Sequence, residues 1–215
     1  VCGLLRIHCA TCSGIGVRHA PESLCGFDRI LHYYHIYNRG AHKQPLFQEE
    51  DNYLFVIRKM KHYCQQLHLT MIAYCLMPNH YHFLVRQDGD FPAGLLPQRV
   101  FNSYSKAYNK KYDHQGTIFA GNFHIKLIDD TSHLLHLWRY IHGNPVKDGL
   151  VTHPSDWNHS NFNEYIGNRK GNLFDPEFFS TYFQDANDYY SFVLDDLKSR
   201  DLPIILRKHL DLLEK

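Results

Sequence analysis

The sequence predicts an α+β fold, ferredoxin-like or RRM-like, in which a β-α-β-β-α-β series forms a four-stranded antiparallel sheet with helices on one face. Two observations lead there. A Pro78-Asn79 turn signal separates two strand-like runs, and helical patterns flank that pair on both sides. A third stretch, after the last strand, carries an apolar helical stripe and adds a helix to the series. The 215 residues suffice for one sizeable core with appendages.

In order, a strand is expected at 32–39. A helix follows at 49–67, with Glu49, Glu50 and Asp51 at its start and Lys59 and Lys61 later, the arrangement the helix macrodipole favours. The run Met71-Ile72-Ala73-Tyr74-Cys75-Leu76-Met77 belongs to a strand at 69–77. After the turn, a strand at 80–87 continues through Phe83-Leu84-Val85. A helix at 97–112 and a strand at 123–128 complete the sheet. The helix at 131–144 is read from Leu134, Leu137, Trp138 and Ile141, which recur every three to four residues. Gly143 and Pro145 are expected to stop it and to leave Asn144 at a frayed end. Beyond it the tail, with Phe178, Phe179, Tyr182, Phe183, Tyr189, Tyr190 and Phe192, is aromatic and helical in pattern, and its acidity favours packing over DNA contact.

His80 and His82 flank one bulky residue on a strand, so both project to the same side. Two convergent imidazoles are half of a metal site. Tyr140 and Asn144 lie four apart, one above the other if the helical turn persists. An amide oxygen beside imidazoles forms a mixed nitrogen and oxygen set suited to Mg²⁺ or Mn²⁺ when phosphate oxygens complete the shell, and Mn²⁺ is the more tolerant of imidazole. The plain alternatives are an ordinary pair of same-face strand histidines and a helix aromatic packed on the sheet.

From about Tyr34 to Ile166 the chain resembles the single-tyrosine HUH transposases of bacteria (the IS200-like transposase domain), especially the REP-associated tyrosine transposase branch. The resemblance rests on ordered motifs: Tyr37-Asn38-Arg39-Gly40, Leu46-Phe47, Leu76-Met77-Pro78-Asn79-His80-Tyr81-His82-Phe83-Leu84, Gly116-Thr117-Ile118-Phe119-Ala120-Gly121-Asn122-Phe123, Tyr140-Ile141-His142-Gly143-Asn144-Pro145-Val146-Lys147 and Ser155-Asp156-Trp157. It divides the chain into an extension at 1–28, unstructured or upstream of the true start, the transposase domain at 29–167 and a helical appendage at 168–215. By this resemblance His80 and His82 match two metal-binding histidines, Asn144 the third ligand, and Tyr140 the nucleophile. Tyr81 departs from the usual plainer hydrophobe between the histidines, and Asn122 stands where a basic residue often follows the second glycine.

The resemblance implies a metal-dependent single-stranded DNA endonuclease and strand transferase, mobile or domesticated, acting on hairpin-bearing DNA such as REP elements. A phenol has a pKa near 10 and needs activation before it attacks phosphorus. Attack by Tyr140 would leave a 5′-phosphotyrosine and a free 3′ hydroxyl, storing the phosphodiester so that strands rejoin without ATP. The alternative function is a catalytically inactive DNA-binding or regulatory protein on the same scaffold; a third, a histidine-rich metalloenzyme unrelated to DNA, has no second constellation to support it. Tyr104 and Tyr108 are rival nucleophiles but lack a ligand one turn on. The family implies single-stranded or hairpin DNA as partner, and a homodimer is open, since members of the broad family can be dimers whereas the REP-associated branch need not be.

Net charge is +1, with 23 Lys and Arg against 22 Asp and Glu. Locally, Lys106, Lys110, Lys111 and Lys126 face only Asp113 between 101 and 126, so a basic surface is expected there. Candidate DNA contacts are Arg39, Lys106, Lys110, Lys126, Arg139 and Lys147. Most of the 17 histidines, including His32, His62, His68, His136 and His159, have no neighbour at ligand spacing, whereas His35 could support the site from the first strand. Among six cysteines, Cys9 and Cys12 alone have metal-like spacing and no second pair follows, which disfavours structural zinc. With no secretory pattern or membrane-length apolar run, the expectation is a reducing cytoplasm and no membrane partner.

Overall fold

The computed structural model describes residues 31–198, so the expectations for 1–28 and for the last residues of the tail lie outside the described residues. Four strands, β1 (His32–Arg39), β2 (Leu69–Met77), β3 (His80–Gln87) and β4 (His124–Ile128), pair antiparallel in the order β2-β3-β1-β4. Helix α1 (Glu50–Gln66) connects β1 to β2, and α2 (Leu95–Tyr112) connects β3 to β4. This is the predicted βαββαβ order.

Strand alternation sorts the sheet into two faces. Ile36, Tyr74, Leu76, Tyr81, Phe83 and Val85 point to one side and are buried against α1 and α2. Tyr81 stacks on Phe101 of α2 with ring centroids 4.1 Å apart, so the bulky residue between the two histidines is turned away from them. On the other side Ile72, Ala73, Cys75, Met77 and Leu84 meet α3 (Thr131–Lys147) and the tail helices α4 (Phe162–Tyr165), α5 (Pro176–Tyr182) and α6 (Ala186–Lys198). A β-bulge between Met71 and Ala73 lets the consecutive residues Ile72 and Ala73 both serve this second core. The two helices of the βαββαβ series thus cover one face, as expected, and α3 with the aromatic tail covers the other: Trp138 of α3 is fully buried against Tyr165, Phe178, Phe183 and Tyr189.

Helix starts follow local chemistry. Glu49 forms a capping box with Asn52 at α1, and the Asp130 carboxylate accepts from the His133 N–H at 2.7 Å at α3. The expected stop at Gly143 and Pro145 does not occur: α3 runs through Pro145 to Lys147. Proline removes a single N–H from the ladder, whereas Ile141 to Pro145 are all buried, and burial outweighs the local penalty. The helix end is closed instead by Asp148 N–H donating to the Asn144 carbonyl at 3.0 Å and Leu150 N–H to that of Pro145 at 2.9 Å. Asn144 thus sits in regular helix rather than at a frayed end.

One asparagine ties the tail to the sheet. Asn161, fully buried, accepts from Tyr74 N–H at 2.8 Å and from His142 Nε2 at 2.8 Å, and donates to the carbonyls of Ile72 and Leu173 at 3.0 and 2.8 Å. Burial pulls the His142 imidazole down to about 4, so it stays neutral, with Nε2–H donating to Asn161 Oδ1 and Nδ1 accepting from the Tyr189 hydroxyl. Among the described residues no helix is long and apolar enough to cross a membrane.

Candidate active site

The β2–β3 hairpin turns on two residues, Pro78 and Asn79, and its tip is clamped from outside. Gly40 N–H donates to the Asn79 carbonyl at 2.7 Å, and Leu46 and Phe47 N–H donate to that of Pro78 at 2.7 and 3.1 Å. A Cβ on Gly40 would collide with the Gln44 carbonyl, which accounts for glycine after Asn38-Arg39. The loop carrying Gly116 to Phe123 extends this edge, with Ala41 N–H bonded to the Ile118 carbonyl and Ala120 N–H to that of Arg39. These bonds fix where β3 begins and hence where His80 and His82 stand.

His80 and His82 share the face opposite Tyr81, with ring centroids 5.1 Å apart. On α3, Tyr140 comes down beside them, its ring 5.7 Å from that of His82 in an edge-on arrangement. Asn144, one turn further on, is buried and hydrogen-bonds the His80 side chain. All four residues line one open cleft of about 800 Å³, together with Tyr37, Arg39, Lys43, Asn79, His124 and Asp148. The helix that carries the tyrosine reaches the histidines of its own chain.

Each histidine ring engages a neighbour through Nδ1: His80 with Asn79 Oδ1 at 2.7 Å, and His82 with His35 Nε2 at 3.0 Å. Burial holds the His80 imidazole below its ordinary value, offset in part by the Asp148 carboxylate and the Asn144 hydrogen bond. A neutral ring whose Nδ1 carries the proton presents a lone pair at Nε2, the form a divalent cation requires. Among the described residues no cluster of three or more His, Cys, Asp and Glu side chains is placed to hold a metal. The set offered here is two imidazoles and an amide oxygen, which fits an oxygen-seeking cation able to draw further ligands from phosphate and water.

The expected DNA contacts divide. Arg39 lines the cleft, Lys147 holds its ammonium 5.0 Å from the Tyr140 ring centroid, and Lys126 is exposed on β4 two residues beyond His124. Lys106 and Lys110 are exposed on α2, the helix packed on the opposite face of the sheet, and do not line the cleft. Arg139 is turned to α6, its guanidinium 5.0 Å from the Phe192 ring centroid and bonded to His136. The rival tyrosines belong to the first core: Tyr104 donates to the Leu46 carbonyl, with burial pushing its phenol up, and Tyr108 accepts from Gln48.

Sequence reasoning missed Tyr37, Lys43, His124 and Asp148. Tyr37 lies opposite His82 in the β1–β3 register and opposite His124 in the β1–β4 register, and stacks on His124 at 4.9 Å. Lys43 follows His42 in a turn where both residues have positive φ, 53° and 61°, an unfavourable backbone for side-chain-bearing residues that is found preferentially at functional sites. Asp148 continues the four-residue spacing of Tyr140 and Asn144, a signal present in the sequence.

A family model described as "Transposase IS200 like" matches residues 29–144, ending on Asn144. The chain belongs to the IS200-like transposase family. A curated relative from Haemophilus influenzae, named "Putative REP-associated tyrosine transposase", is 32% identical over 117 residues, covering 49% of this chain and 66% of the relative. The match thus spans just under two thirds of that relative's length. Among solved structures, this IS200-like chain is similar to a REP-associated tyrosine transposase bound to a REP hairpin, with a TM-score of 0.54 and 20% identity over 67% of this chain and 87% of the other. At that identity the likeness shows the fold.

Proposed function

We propose that this IS200-like transposase is a metal-dependent single-stranded DNA endonuclease and strand transferase that cuts hairpin-bearing DNA through a covalent 5′-phosphotyrosine at Tyr140. The observation that carries the reading is the convergence of Tyr140, His80, His82 and Asn144 on one open cleft, from a strand and a helix sixty residues apart. The REP hairpin named with the structural relative supports the substrate class.

His80 and His82 through Nε2, and Asn144 through its amide oxygen, would hold Mg²⁺ or Mn²⁺. When bound, such an ion supplies Lewis-acid polarisation of the scissile phosphate. Tyr140 delivers its phenol oxygen to the phosphorus from α3, whose burial on both sides of the tyrosine fixes its approach. Arg39, Lys43 and Lys147 offer cations around the cleft to pair with backbone phosphates. The cleft is open to solvent rather than enclosed, as entry of a DNA strand requires. A 3′ hydroxyl attacking the phosphotyrosine reverses the cut.

The test is incubation of the full chain with a library of end-labelled DNA hairpins bearing single-stranded flanks, with Mn²⁺ and with chelator. A covalent protein–DNA band on a denaturing gel, present with Mn²⁺ and absent with chelator, is the expected result. Tight hairpin binding with no adduct under any metal would instead support a DNA-binding protein on this scaffold.

A further inference from the structure

We propose that His35 is a positioning residue that fixes the tautomer and ring orientation of His82, an inference resting on the metal-site reading above. His35 lies on β1, two residues before Tyr37, the cross-strand partner of His82, and both histidines point to the same face. His35 is fully buried and His82 is 2% exposed, and their rings lie nearly parallel, 19° apart with centroids separated by 5.2 Å. His35 Nε2 and His82 Nδ1 are 3.0 Å apart, hydrogen-bond distance for two ring nitrogens.

A bond between two imidazole nitrogens holds one proton, and its owner decides what His82 can do. If His82 Nδ1–H donates, its Nε2 carries a lone pair and can take a cation. If His35 Nε2–H donates, a neutral His82 must carry its own proton on Nε2, which blocks ligation. A metal-competent His82 therefore requires His35 as the acceptor, and no water is needed in a contact so buried. Partners of this kind orient metal-binding histidines, and their loss typically weakens metal affinity about 10–100-fold. A histidine used only for packing would need no nitrogen directed at His82.

Four proteins separate the readings: full-length wild type; His35→Phe, which keeps a ring and removes the acceptor; His35→Gln, which keeps an acceptor; and His82→Ala, which removes the ligand itself. Mn²⁺ alone is titrated into each while the free-ion signal is followed by electron paramagnetic resonance, with thermal unfolding measured in parallel. His35→Phe is expected to bind Mn²⁺ about 10–100-fold more weakly than wild type, and His35→Gln to recover most of that loss. Equal affinity in wild type and a folded His35→Phe overturns the proposal while leaving the metal site standing. Wild type that binds Mn²⁺ no better than His82→Ala overturns the metal site, and this inference with it. A second measurement needs no substitution: long-range proton–nitrogen spectra of the ¹⁵N-histidine protein should show His82 as the Nδ1–H tautomer, and finding Nε2–H contradicts the assignment.

Discussion

The two faces of the sheet carry different kinds of interior. Toward α1 and α2, Ile36, Leu76, Tyr81, Phe83 and Val85 form an apolar and aromatic core in which Tyr104 and Tyr108 direct their hydroxyls to loop residues. Toward α3 and the tail, buried polar groups are threaded through the packing: His35, His82, His142, Asn144 and Asn161. A buried polar group is costly unless hydrogen-bonded, and these have partners, several of them one another. Adjacent residues of β3 belong to opposite regimes, Phe83 to the first and His82 to the second. The first face can concentrate hydrophobic stability so that the second can hold groups chosen for chemistry.

The largest break in that comparison is expected from Phe83→Ala. It should lower unfolding free energy by about 3–5 kcal/mol, measured by denaturant titration, through transfer and cavity costs. Next comes Asn161→Leu, which strands Tyr74 N–H, the Leu173 carbonyl and His142 Nε2, while the Ile72 carbonyl keeps the Tyr165 hydroxyl. A loss of about 3 kcal/mol is expected from several unmet buried groups, with the second face loosening first in hydrogen exchange. His82→Ala should cost less, roughly 1–2 kcal/mol, because it leaves the first core intact, yet it should abolish metal-dependent nicking. A stability loss from His82→Ala equal to that from Phe83→Ala would erase the distinction between the faces. Smallest is the effect of single cations: Arg39→Gln or Lys43→Gln should reduce the salt slope of hairpin binding by about 1 each, and Lys106→Gln and Lys110→Gln should leave it unchanged.

How much of this was legible in the sequence differs by element. The bounds of β1, β2 and β3 coincide with the predicted runs, because alternation and the Pro78-Asn79 turn are local signals. Helix α2 begins two residues before the predicted start, and α3 overruns Pro145 because burial of Ile141 to Pro145 is a tertiary fact with no local signature. The approach of Tyr140 to His82 was anticipated through the resemblance and the spacing of Tyr140 and Asn144. A place for His35 beside the site was expected, but its bond to His82 was not, since that depends on the register between β1 and β3, where a slip of one residue would turn His35 to the other core. Asn161 was invisible for a similar reason: its four partners come from three separate stretches of chain.

Attack of Tyr140 on a phosphate within this cleft, the step proposed above, leaves a covalent mark that can be mapped to a single residue. The full chain is reacted with hairpin DNA and Mn²⁺, the adduct is digested with protease and nuclease, and the modified peptide is identified by mass spectrometry. Wild type is expected to carry a nucleotide 5′-phosphate on Tyr140, and a folded Tyr140→Phe to form no adduct. A phosphate mapped to Tyr37, Tyr104 or Tyr108, or an adduct undiminished in Tyr140→Phe, would contradict that step.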